Sequence, residues 1–285
     1  MQEISEIPKL APRPKDAHKG SFGKVCIVGG SIGMSGAMAL AGRSALRAGA
    51  GLVRVAVPKS ILPIVAASEP CYTTVPLGQD KQGYISWNAL NTILTLTEQN
   101  DVMAFGPGAG IAKGPRDIVN TLIAQEDLRF IIDADGLNCL AKSTGWIEKT
   151  KASIILTPHP GEMMRLWESV FRENPPVDRI EQAGTLAEQS GCTVVLKGAG
   201  TVVTDGKKVY INTTGNPGMA TAGAGDVLTG VITALAAQGL NNFDAAVLGV
   251  YIHGLAGDIA AKKTGQIGLI ATDITAALGE AFMQC

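Results

Sequence analysis

The strongest constraint on this fold is a recurrence. Short apolar runs stand at 25–28, 52–57, 102–105, 130–132, 154–157 and 193–196, and stretches with helical spacing lie between them. A short continuous apolar run suits a strand covered on both faces. Strands that alternate with helices form βαβ units, because each crossover helix returns the chain to begin a parallel neighbour. The expectation is an α/β fold with a doubly wound, largely parallel central sheet and helices on both faces. Helices are expected over 37–48, 60–68, 87–97, 117–125, 178–189, 227–237, 244–261 and 272–283. Thr272 followed by Asp273 reads as an N-terminal cap. A hairpin is expected about Asp205-Gly206, since that dipeptide favours a tight turn.

The alternation runs through the chain without an internal repeat or a low-complexity linker. A single domain over 1–285 is therefore expected, with 1–19 as an extended lead-in carrying Pro8, Pro12 and Pro14.

Composition excludes several functions. A net charge of −1 with no basic stripe gives nucleic acid little to bind. Cys26, Cys71, Cys139, Cys192 and Cys285 form no CxxC pair. They read as free thiols in a reducing compartment, which makes the expected location cytoplasmic. There are three histidines and no HExxH, which argues against zinc. The first residues lack a signal-peptide pattern. The longest late apolar stretch is broken by His253 and Asp258, so no membrane span is expected.

The glycines that follow the apolar runs fit neither common nucleotide signature. Gly30, Gly33 and Gly36 are spaced G-x-x-G-x-x-G rather than G-x-G-x-x-G, and residues 20–24 lack the P-loop spacing. Even so, loops of glycine and polar residues gather at strand ends 29–36, 106–110, 133–138, 158–162 and 197–201, and 216–226 makes a sixth. Ligands of open parallel sheets bind at that edge. The sixth loop, Asn216-Pro217-Gly218-Met219-Ala220-Thr221-Ala222-Gly223-Ala224-Gly225-Asp226, feeds an apolar helix. The unpaired first amides of such a helix suit a phosphate or an oxyanion. Asp226 then either caps the helix or serves as a base beside the anion. Asp133 and Asp135 either orient a hydroxyl or a hydrated Mg²⁺, or open the next helix. His159, between two prolines, is either an aimed ring or a structural one. Glu162 either starts a helix or holds Mg²⁺ through water. Lys197 is either a phosphate contact or solvated. His18, His253 and the Met163-Met164 pair read as structural or solvated.

In order, the segments 18–20, 106–110, 133–138, 157–162, 197–201 and 215–226 resemble the ADP/ATP-dependent NAD(P)H-hydrate dehydratases, a branch of the ribokinase-like fold. The resemblance covers nearly the whole chain from residue 18. It implies removal of water from the S epimer of hydrated NADH or NADPH, driven by ADP (or ATP) with Mg²⁺. It places Ala37, Gly108, Gly110 and His159 at the hydrate. It places Lys197, Gly198, Ala199, Gly200, Thr201 and the loop from Asn216 to Gly225 at ADP. Asp226 would face the substrate hydroxyl as catalytic base.

Many bacterial relatives carry this domain behind an NAD(P)H-hydrate epimerase domain. About twenty residues precede the first motif here, so a separate epimerase is expected. A homotetramer is implied as well. The rival within the same fold is a small-molecule kinase acting on a vitamin precursor. Such kinases often carry Asn-x-x-Glu near the metal, where this chain reads His159-Pro160-Gly161-Glu162. A nucleotide sensor without catalysis is the second rival.

Overall fold

The computed structural model describes residues 1–285. One sheet holds ten strands: β1 (Gln2–Glu3), β2 (Lys24–Val28), β3 (Leu52–Pro58), β4 (Thr73–Leu77), β5 (Val102–Phe105), β6 (Arg129–Ile132), β7 (Ser153–Leu156), β8 (Thr193–Leu196), β9 (Val202–Thr204) and β10 (Lys208–Ile211). Their order is β1-β10-β9-β8-β7-β6-β5-β2-β3-β4. The run from β8 to β4 is parallel throughout. The hairpin expected at Asp205-Gly206 joins β9 to β10, and β9 lies antiparallel to β8.

Eleven α-helices accompany the sheet: α1 (Ser35–Arg47), α2 (Leu62–Ser68), α3 (Leu90–Gln99), α4 (Lys113–Leu122), α5 (Asp135–Ala141), α6 (Trp146–Lys149), α7 (Pro160–Phe171), α8 (Arg179–Ser190), α9 (Ala224–Ala237), α10 (Asn242–Gly268) and α11 (Ala271–Met283). Successive strand residues point to opposite faces. Val25, Ile27, Val102, Ala104, Ile131 and Ile155 join one core with α1, α9, α10 and α11. Cys26, Val28, Met103, Phe105, Phe130 and Ile132 join the other with α3, α4, α5, α7 and α8. Two apolar layers explain why the strands read as unbroken apolar runs.

The small residues of α1 are used inside the subunit. Gly230 of α9 lies on the backbone of Ala41, and a Cβ there would strike the Ala41 carbonyl oxygen. Only glycine lets two helices approach so closely. This seats the first turn of α9 over the sheet edge.

Several elements depart from expectation. The lead-in is not merely extended, because Gln2–Glu3 adds an edge strand parallel to β10. β4 was not foreseen; its mixed polar residues suit an edge position, where one side is wet. The helix expected at 117–125 runs instead from Lys113 to Leu122, with Pro115 in its first turn, where a missing N–H costs nothing. Thr272 is not the cap of α11. Ile270 holds the N-cap position, and Asp273 Oδ2 accepts its N–H at 3.0 Å. α10 runs past its expected end at 261 and is broken at Gly265, whose φ of 72° is not helical. By length and composition it is apolar enough to cross a membrane, but 72% of the relevant window is buried inside the protein. It is the core helix behind the glycine loop.

Candidate functional site

β5, β6, β7 and β8 are neighbours in the sheet, so the loops at their C-terminal ends meet. Hydrogen bonds tie them together. Gly30 N donates to Pro107 O at 2.8 Å, and Lys197 N donates to Pro158 O at 2.8 Å. Ser31 Oγ donates to Gly108 O at 2.8 Å, and Gly110 N donates to Asp135 Oδ2 at 2.8 Å.

At the centre lies a charged cluster. Lys197 Nζ bonds Asp133 Oδ1 at 2.7 Å and stands 3.7 Å from Glu162 Oε2. Asp133 is buried and also accepts from Thr157 Oγ1 at 2.8 Å and Thr229 Oγ1 at 2.6 Å. Burial alone would raise its pKa, but Lys197 and the two hydroxyls outweigh that and lower it. The Lys197 pKa is raised: burial opposes the charge, while Asp133, Glu162 and Asp226 favour it more. Lys197 is thus not merely solvated; its ammonium is the counter-ion of Asp133 and lies close to Glu162. Glu162 shifts up, chiefly through burial, against the pull of Lys197.

Asp226 is the third residue of α9, whose N-cap is Gly223 at φ 89°. That left-handed backbone favours glycine. The N–H groups of Gly225 and Asp226 meet no backbone carbonyl. They leave an anion-binding turn beside the Asp226 carboxyl. Burial, reinforced by Asp133 and offset by Lys197, pushes Asp226 up to about 7. Gly223 holds the N-cap position and no side chain caps α9, so Asp226 is not its N-cap; its raised pKa suits a group that exchanges a proton near neutral pH.

The flanking loops are held by residues that sequence reasoning did not single out. Arg179 of α8 donates to the carbonyls of Leu196 at 2.9 Å, Lys197 at 3.1 Å and Ala199 at 2.6 Å. It thereby shapes the stretch Gly198, Ala199, Gly200, Thr201. Asp258 of α10 accepts from Gly215 N at 2.8 Å and Asn216 Nδ2 at 2.9 Å. Asn216 Oδ1 in turn accepts from Gly218 N at 3.0 Å, fixing the short 3₁₀ turn Pro217–Met219. Ala220, Thr221 and Ala222 carry the chain from that turn to Gly223. The sequence signal for Asp258 was a lone acid on the polar side of an apolar helix. Arg179 gave none, because its partners are backbone carbonyls.

His159 is the N-cap of α7. Its Nδ1 accepts from Gly161 N at 3.0 Å and Glu162 N at 3.4 Å. Glu162 Oε2 closes the box by accepting from His159 N at 2.8 Å. With Nδ1 an acceptor, the ring proton sits on Nε2, and the ring is half exposed at the edge of the cluster. Asp133 and Asp135 do not act as a pair: Asp133 binds Lys197, while Asp135 starts α5 and orders Gly110. Ala37 lies one turn before Leu40, whose side chain abuts Gly223. His18 caps the turn Lys19–Phe22 and stays structural. His253 is less bland than expected. Its Nε2 is buried without a partner close to Ala224, and burial pulls its pKa down to about 4.

No three metal-ligating side chains gather anywhere in the chain.

A family model described as NAD(P)H-hydrate dehydratase matches residues 25–279. The chain belongs to the NAD(P)H-hydrate dehydratase family. It is 44% identical over 95% of its length to the bifunctional NAD(P)H-hydrate repair enzyme of Moorella thermoacetica, and spans 50% of that relative. It spans about half the length of the first curated relatives it matches. It is 36% identical to the ADP-dependent (S)-NAD(P)H-hydrate dehydratase of Neisseria meningitidis, covering 93% of this chain and 86% of that one. Among solved structures, a ribokinase-like superfamily protein of Enterococcus faecalis superposes with a TM-score of 0.82 at 27% identity, over 99% and 95% of the two chains. The ADP/ATP-dependent NAD(P)H-hydrate dehydratase of Bacillus subtilis, co-crystallised with ATP and Mg²⁺, gives 0.80 at 27% identity over 96% and 94%. The dehydratase family and the ribokinase-like fold thus agree with the order of the loop motifs.

Proposed function

We propose that this chain dehydrates the S epimer of hydrated NADH or NADPH, consuming ADP and releasing AMP and phosphate. The observation that carries the proposal is Asp226, a carboxyl with a pKa of about 7 beside the unpaired amides of Gly225 and Asp226. Hydroxide leaves poorly and phosphate leaves well. Asp226 removes the proton of the ring hydroxyl as that oxygen attacks the terminal phosphorus of ADP. The new C–O–P linkage forms while the bond from phosphorus to AMP breaks. The amides of the α9 turn and the Lys197 charge offset the negative charge on the transferring phosphoryl group. The ring-nitrogen lone pair then expels phosphate, and loss of a proton from the adjacent carbon restores the double bond.

Mg²⁺, when bound, would supply charge neutralisation at the nucleotide phosphates. Few protein ligands are needed, because Mg²⁺ keeps several waters and takes other ligands from the substrate phosphates. Glu162 is the residue that would touch it, through water. ADP rather than ATP is the proposed co-substrate, as the name of the Neisseria relative supports.

A separate epimerase supplying the S epimer, a homotetrameric assembly and a cytoplasmic location complete the proposal. Buried Cys26, Cys139 and Cys192, each pushed up to about 12 by burial, are inert thiols that suit a reducing compartment. The test is incubation with both hydrates against ADP and ATP, following NAD(P)H and AMP together. A phosphorylated product without NAD(P)H would instead identify a kinase.

A further inference from the structure

A second cleft opens beside the cluster, between α5 and α7, on the face of the sheet opposite α9. It encloses about 510 Å³, and its lining includes Ile111, Asp135, Asn138, Lys142, Arg165 and Glu168. Arg165 is held in a particular way. Its Nε donates to Asn138 Oδ1 at 2.8 Å, and its terminal nitrogens make no hydrogen bond. Neither Arg165 nor Lys142 forms an ion pair, although Glu168 lies one turn along α7 from Arg165. Arg165 is exposed, and its Nε tether leaves the two parallel N–H donors of its outer edge free, a geometry that matches a phosphate.

The cleft adjoins the loops of the reaction centre through Asp135, which lines it and accepts from Gly110 N at 2.8 Å. Asp135 is close enough for its charge to act on Asp226. Gly161, two residues past His159, sits beside the Arg165 guanidinium. The loops assigned to ADP follow β8 and precede α9, and none of their residues lines this cleft. A hydrated dinucleotide is much longer than its ring. With the ring at Asp226 and ADP on those loops, this cleft stays open to the substrate's own phosphates.

We propose that this cleft takes a phosphate of the dinucleotide substrate, with Arg165 as its bidentate ligand and Asn138 as the residue that aims it. The proposal rests on the dehydratase function above. Two phosphates share this chemistry: the pyrophosphate bridge, common to both hydrates, and the 2′-phosphate of the NADPH hydrate alone. Steady-state kinetics of Arg165→Gln with each hydrate separates them. The expected result is a KM about tenfold higher, as for one lost charged hydrogen bond, with kcat and the KM for ADP unchanged. A rise for both hydrates assigns the pyrophosphate, and a rise for the NADPH hydrate alone assigns the 2′-phosphate. Arg165→Lys keeps the charge without the fork and should recover only part of the loss; it also decides the matter if Arg165→Gln does not fold. Wild-type turnover with unchanged KM values in both variants overturns this inference alone. Wild-type protein that converts neither hydrate overturns the function and the inference together.

Discussion

Lys197 Nζ reaches Asp133 Oδ1 across 2.7 Å, linking the end of β8 to the end of β6 beneath the first turn of α9. Both side chains are largely out of water, and Glu162 lies on the far side of the same ammonium. Removing one partner of a buried pair is far more costly than never having had the pair. Lys197→Met should therefore destabilise the protein by about 3–5 kcal/mol in urea unfolding. The double variant Lys197→Met/Asp133→Asn should recover a large part of that loss, since the uncompensated carboxylate is gone. Equal stability of the single and double variants would contradict the pairing.

Asp226→Asn removes the proposed base and leaves the anion-binding turn intact. Turnover should fall by about 10²–10⁴-fold, with ADP affinity in calorimetry close to that of the wild type. In the wild type, kcat/KM should rise with pH and reach half its maximum near 7, the pKa at which burial and Asp133 hold this carboxyl.

The same group affects stability in a defined direction. Its folded pKa stands above that of an unfolded aspartate, so the folded protein retains an extra proton between the two values. Its contribution to stability is fully present below the unfolded value and is lost as pH rises through about 7. Above that pH, Asp226→Asn should melt at a higher temperature than the wild type. A lower melting temperature there would show that the ionised form is well solvated.

His159 can be tested for more than capping. Asparagine is a good N-cap, so His159→Asn should keep wild-type stability, while His159→Ala loses about 1 kcal/mol. If the exposed ring edge meets the hydrate, both variants raise the KM for the hydrate. An unchanged KM in His159→Asn would leave the residue with its cap alone.

Arg179→Ala should loosen residues 197–201 by freeing the carbonyls of Leu196, Lys197, Ala199 and Gly200. The KM for ADP should rise on the order of tenfold, with the hydrate KM unchanged.

The parallel core was legible because its strands are buried on both faces, and Val25 to Val28 or Val102 to Phe105 leave no other use for four apolar residues in a row. Strand ends rich in glycine then located the site. Asp226, Lys197 and His159 were found by position, but their states were not. Whether Asp226 caps or titrates depends on Asp133, 93 residues earlier in the sequence, which no local pattern reports. Edge strands such as Gln2–Glu3 and Thr73–Leu77 escaped notice because one wet side removes the apolar run. Arg179 escaped because a residue that binds backbone carbonyls needs no partner motif.

The central claim is tested most directly by adding the protein and ADP with Mg²⁺ to hydrated NADH and following near-ultraviolet absorbance. NADH absorbance should return in step with AMP and phosphate, and Asp226→Asn should abolish the return while still binding ADP. ADP consumption with a phosphorylated product and no NADH, or full recovery by Asp226→Asn, would contradict it.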